Sequence, residues 1–178
     1  MMTAGHSAGD FAVMYRTNAQ SRALEEAFLR ESMAYRLVGA TRFYNRREIK
    51  DLIAFLRLVH NPADSISFQR VINTPTRGIG KKTQDQLRIW GGRKGWQPGV
   101  TVMQLAINPD IQHPFNSRAF NSIKPFGTLL AAWVSLRDEI TVGDLLATII
   151  DGTGFREYLQ DGTDEGEERW LNVLELRN

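Results

Sequence analysis

At 178 residues with 42% hydrophobic content, the chain is long enough to bury a real core, which removes disorder as the default. It has no cysteine, excluding disulfides and thiolate metal sites, and its three histidines, His6, His60 and His113, are too scattered for a ligand cluster. The net charge of +2 hides an asymmetry: residues 1–90 carry 14 Lys+Arg against 8 Asp+Glu (+6), residues 91–178 carry 8 against 12 (−4), and a polyanion belongs with the first half.

In chain order, residues 11–15 (FAVMY) form a short apolar run whose length suits a buried strand. Thr17 or Asn18 then caps a helix through Arg30, burying Ala23, Leu24, Ala27 and Phe28 with Glu25, Glu26 and Arg30 outside. A second run at 35–38 ends at Gly39, so the opening reads as strand, helix, strand, while a sheet requires more strands than the sequence supplies. From Thr41 onward the pattern is helical. Asn45 with Glu48 resembles a helix-start pair, and Ile49, Leu52, Ile53, Leu56 and Val59 recur at helical spacing until Asn61-Pro62. Helices are expected at 67–73 and 81–90, a loop at 91–99 (GGRKGWQPG), and a brief helix after a Thr101/Gln104 capping pair. A long helix over 117–139 is bent or divided by Pro125, and another covers 142–150. The acidic run 161–168 reads as a mobile surface loop before a last helix carrying Trp170, Leu171 and Leu174.

The most informative stretch is TPTRGIGKKTQDQL, residues 74–87. Gly78 and Gly80 permit positive φ and remove Cβ atoms that would hold a ligand off the backbone. A helix beginning after Gly80 leaves its first amides without intrahelical partners and favours an anion there, with Arg77, Lys81 and Lys82 adding charge. Ile79 anchors the turn by packing inward. Helix, Gly-Ile-Gly hairpin, helix resembles the helix-hairpin-helix motif, which grips a nucleic-acid backbone without reading sequence. The competing reading makes Gly78 a helix C-cap and Gly80 a packing residue. A Walker-type phosphate loop fails: Pro75 stands at its first glycine position, Lys82 where Ser or Thr is required, and the preceding segment is helical. Trp96 in the basic loop is a base-stacking candidate, while Trp133 and Trp170 lie on apolar faces. Arg46, Arg47 and Lys50 read as a solvated helix start, and Asp138-Glu139 as a helix end with no Walker B role.

YRTNAQSRALEEAF (15–28), YRLVGATRFYNRREIKDLIAFLRLVHNP and INTPTRGIG, in that order, resemble the UvrD/Rep/PcrA family of superfamily 1 DNA helicases. The similarity is dense over 11–87 and looser through GFREYL and ERWLNVLEL. The resemblance implies that YRTNAQSR (15–22) is the fourth helicase motif on the second RecA-like domain, with Arg16 and Asn18 on single-stranded DNA. It further implies that residues 1–39 are part of that domain, a small β-α-β piece, and that 40–178 are its inserted helical accessory subdomain, giving a mainly α fold. The hairpin, Arg77, Gly78, Ile79, Gly80, Lys81, Lys82 and Thr83, is then the contact with duplex backbone.

The chain lacks the segments that carry the family's ATP site, so it reads as a fragment with no catalytic or metal site and no cofactor of its own. ATP and Mg belong to the parent, an ATP-dependent 3′–5′ helicase of repair or replication. Its partners are single-stranded and duplex DNA and repair proteins. With no apolar run of roughly 18 residues and no signal-peptide centre in residues 1–10, no membrane association is expected and the location is cytoplasmic. Two readings of another class stand beside this one, a regulatory protein-interaction module and a self-sufficient nucleotide enzyme.

Overall fold

The structure, a computed structural model, describes residues 6–16, 20–38 and 42–177. Among them the elements are α1 (Ser21–Arg30), α2 (Arg47–His60), α3 (Ser65–Val71), α4 (Lys81–Arg93), α5 (Pro98–Ile107), α6 (Ser117–Leu136), α7 (Val142–Thr153), α8 (Phe155–Leu159) and α9 (Asp164–Arg177). Short 3₁₀ turns lie at Ala8–Asp10 and Phe43–Asn45. The mainly α class therefore holds. The segments flanking α1, expected as strands, form no strand among the described residues. Two lone parallel strands leave most of their backbone groups unpaired, too little to hold a sheet. The expected domain boundary at 39/40 lies outside the described residues.

The core is one contiguous cluster built by α2 to α9 and the loops between them. Leu52, Phe55, Leu58 and Val59 recur along α2 at spacings of one, three and four, share one face, and are fully buried. Trp133 of α6 and Phe155 of α8 meet Phe55 edge-on, with ring centroids 6.1 and 6.5 Å away. Trp133 is thus core, as its apolar face implied, and Trp170 packs partly buried against the same cluster. No helix among the described residues is long and apolar enough to cross a membrane.

Several boundaries differ from the sequence reading, each for a local reason. α4 continues through Gly91 and Gly92, expected in a loop. A Cβ at Gly91 would overlap the Thr101 side chain, so the bare backbone lets α4 meet α5 closely. α5 begins at Pro98, a first-turn position where the missing N–H has no intrahelical partner to lose, and Thr101 is buried inside it with its hydroxyl on the Gln97 carbonyl at 2.9 Å. Asn45 closes a 3₁₀ turn and Arg46 takes the cap position of α2. Side-chain caps occur instead at Asp64, on the Ile66 and Ser67 amides (both 3.0 Å), and at Asn116, on the Ala119 amide (2.8 Å). α6 runs undivided through Pro125, held by its packed face of Ile123, Phe126, Leu130 and Trp133. The acidic run is half helix: α9 starts at Asp164, where Asp164, Glu165 and Glu167 sit favourably in the first turn.

α1 is joined to the rest by a buried polar network. Glu25, expected outside, is 6% exposed, whereas Ala23 faces solvent. Its carboxylate accepts from Ser21 Oγ (2.9 Å), Tyr35 OH (3.2 Å) and the Phe43 amide (3.2 Å). Arg46, expected on a solvated face, is also buried: it donates to Ser21 Oγ and Asn172 Oδ1, both at 2.7 Å, and Asn172 donates to Glu48 at 2.6 Å. Burial pulls the Arg46 guanidinium below its ordinary pKa, opposed by the charges of Glu25 and Glu48. This network links α1, the start of α2 and α9.

Candidate nucleic-acid interface

α3 ends at Val71 and α4 begins at Lys81, so the intervening chain must connect the two helices within nine residues. Asn73 fixes how it does so, because its Oδ1 accepts from the amides of Arg77 (2.8 Å) and Ile79 (3.2 Å). Gly78 sits at φ +73°, the left-handed region, and a Cβ there would stand 3.6 Å from Ser122 of α6. Ile79 is fully buried in the core, contributing about 2 kcal/mol by area transfer. The turn is therefore pinned from inside, with Gly78 and Gly80 left exposed on either side.

Gly80 takes the N-cap position of α4 with φ −75° and ψ 172°, and its carbonyl accepts from the amides of Thr83 (3.0 Å) and Gln84 (3.1 Å). Gln84 Nε2 returns a bond to the Ile79 carbonyl at 3.0 Å. None of these bonds engages the amide N–H groups of Gly80, Lys81 or Lys82, which stand at the positive end of the helix dipole without an intrahelical acceptor. Lys81 and Lys82 are exposed and Thr83 is half-buried. Backbone donors and two mobile cations at one point suit an oxyanion such as phosphate.

Arg77 is placed differently from its neighbours. Its guanidinium turns inward, where Nη1 meets the carbonyls of Val71, Ile72, Thr74 and Pro75 at 2.9 to 3.3 Å. It also lies over the rings of Phe126 (4.9 Å) and Phe55 (5.9 Å). Burial pulls its pKa down to about 10, so it stays charged at neutral pH. Arg77 closes the carbonyl end of α3 and is spent on holding the hairpin.

The remaining candidates lie apart from the turn. Arg16 is exposed at the end of the first extended segment, its amide bonded to Gln20 Oε1 at 3.0 Å, and Asn18 falls outside the described residues. Trp96 is half-buried and edge-on to Trp90 at 5.9 Å, with the Lys94 ammonium 5.4 Å from both ring centroids. Arg47 reaches Tyr158 OH at 3.3 Å and Lys50 is exposed. Asp138 is an exposed residue just past α6, paired with Arg137, which donates to the carbonyls of Val59 and His60. Sequence reasoning missed Asn73, Gln84 and Ser122, the residues that shape the turn. An asparagine just ahead of a Thr-Pro turn was the available signal for the first.

Fold and turn define the class, a mainly α module in which a glycine hairpin with an inward isoleucine joins two helices and opens the second on paired lysines. The chain belongs to the UvrD-like helicase C-terminal domain family, whose profile matches residues 1–112. It is 35% identical over 177 residues to the ATP-dependent DNA helicase PcrA of Bacillus subtilis, covering 96% of this chain and 23% of that protein. It is 36% identical over 173 residues to DNA helicase II of Escherichia coli, covering 97% and 24% respectively. PcrA of Staphylococcus aureus matches at 32% over 168 residues. The chain thus spans about a quarter of the length of the curated relatives it matches.

Proposed function

We propose that this chain is the DNA-engaging part of an ATP-dependent 3′–5′ DNA helicase, with residues 40–178 holding duplex DNA and the segment 15–22 meeting single-stranded DNA. The observation that carries the proposal is the hairpin: Ile79 is locked in the core while the amides of Gly80, Lys81 and Lys82 have no acceptor among the described residues. Such donors take phosphate oxygens of any sequence, which suits an enzyme that must pass along DNA regardless of its bases. Arg16 and Asn18 would contact the single strand from residues 1–39, a part of an α/β motor domain. In the larger protein, hydrolysis of Mg-bound ATP would supply the free energy of movement. This chain's own share is to hold the two forms of DNA and keep them oriented.

Replacing Gly80 by glutamate isolates the turn. Nothing lies within 4 Å of a Cβ built there and the backbone angles suit any residue, so the fold should be kept. The added carboxylate repels phosphate at the free amides. Gly80→Glu is expected to weaken duplex binding at least tenfold, about 1.4 kcal/mol, in fluorescence anisotropy with a labelled duplex. Binding equal to the wild type would remove the hairpin from the DNA-contacting surface.

A further inference from the structure

The hairpin accounts for only the first turn of α4, yet the basic character continues down the helix. Lys81, Lys82, Arg88 and Arg93 are all exposed, and in helical projection they fall within one arc of roughly 140°. Lys94 follows directly at the C-cap, beside that arc and about 100° round from Arg93, its ammonium held over Trp90 and Trp96 at 5.4 Å from each centroid. One acid interrupts the stripe: Asp85, 3.9 Å from Arg88 in a pair exposed on both sides, an interaction of little strength in water. From Lys81 to Arg93 the helix rises about 18 Å, the span of about five base pairs at roughly 3.4 Å each.

The wider charge pattern shows that this stripe is not a sample of an evenly mixed surface. Residues 74–124 carry 8 Lys+Arg against 2 Asp+Glu, whereas residues 125–178 carry 4 against 11. The stripe lies where positive charge is concentrated, and among the described residues only Arg88 of these five cations is within 4.0 Å of a carboxylate. The Trp90–Trp96 pair fixes the last of these cations at the far end of α4, leaving less side-chain freedom to lose when an anion arrives.

We infer that the solvent face of α4 is a second phosphate-binding track, on which Arg88, Arg93 and Lys94 extend the hairpin's hold along the backbone of duplex DNA. This rests on the hairpin reading for its partner but not for its test. Five cations on phosphates predict a slope of log K against log salt of about −4.5, and the two hairpin lysines alone predict about −1.8.

The test uses the whole 178-residue chain and a labelled duplex of about 20 base pairs across a salt series. A triple variant, Arg88→Ala, Arg93→Ala and Lys94→Ala, removes exposed side chains, and an unchanged circular dichroism melt verifies its fold. The expected result is a slope shallower by about 2.7 and affinity reduced at least tenfold near 0.1 M salt, with residual binding that Gly80→Glu then abolishes. A triple variant with wild-type slope and affinity overturns the track and leaves the hairpin standing. Loss in the triple variant with none in Gly80→Glu keeps the track and removes the hairpin. A wild-type chain with no measurable affinity for duplex overturns both.

Discussion

Arg77 shows how a residue in a functional motif can work by disappearing from the surface. Its guanidinium meets four carbonyls at the end of α3 and lies over two core rings, so its removal strips partners from several backbone acceptors at once. Arg77→Met is expected to lower unfolding free energy by about 2–4 kcal/mol, measured by urea titration. While folded, the variant should keep the wild-type salt slope for duplex binding, because no phosphate contact is lost. A shallower slope with unchanged stability would mean that the side chain turns outward on DNA. Charge type and spacing placed Arg77 among the phosphate ligands, since a sequence shows which residue is charged and not where its side chain points. Ile79 was legible for the opposite reason: a lone aliphatic side chain between two glycines has only the core to enter.

Among the elements, α2 was the easiest to foresee, because its apolar positions repeat at helical spacing and Ile49, Leu52 and Val59 of that stripe are buried, although Glu48 and Asp51 are buried beside them. α1 was foreseen as a helix with Leu24, Ala27 and Phe28 turned inward, and these are half-buried, but Ala23 and Glu25 exchange places. Its buried groups are Ser21 and Glu25, and no hydrophobic count registers a face that buries through hydrogen bonds. The loop expected at 91–99 shrinks to 94–97, since Gly91 marks a close helix contact at Thr101 whereas Gly95, at φ +74°, does mark a turn. The polar network between α1, α2 and α9 makes these elements interdependent. Asn172 accepts from Arg46 and donates to Glu48 within buried surroundings, so Asn172→Ala leaves two charged groups each short of a partner. A loss of about 2–3 kcal/mol is expected, lowering the melting temperature by roughly 5–10 °C in a domain of this size. An unchanged melt would show that the network is not coupled to global unfolding.

At the scale of the molecule, the chain is electrically lopsided. Residues 74–124 carry a net +6 and residues 125–178 a net −7, so a polyanion is drawn to the α3–α4 hairpin and α4 and repelled from the acidic end that includes α9. The sequence showed an asymmetry between halves, but the split fell at the wrong place, because Arg93, Lys94, Arg118 and Lys124 belong with the basic region although they lie in the second half. Of the five lysines, only Lys50 lies outside the basic region, exposed on α2 near the Arg46–Asn172 joint. Selective lysine acetylation followed by mass spectrometry therefore reports the orientation of bound DNA without any substitution. With saturating duplex, Lys81, Lys82 and Lys94 should lose most of their reactivity while Lys50 keeps its own. That protection should fade as salt rises past the point where binding fails, since the attraction is carried by released counterions. Equal protection of Lys50 would place DNA against the joint with α1 instead, and a pattern insensitive to salt would point to occlusion by another copy of the chain.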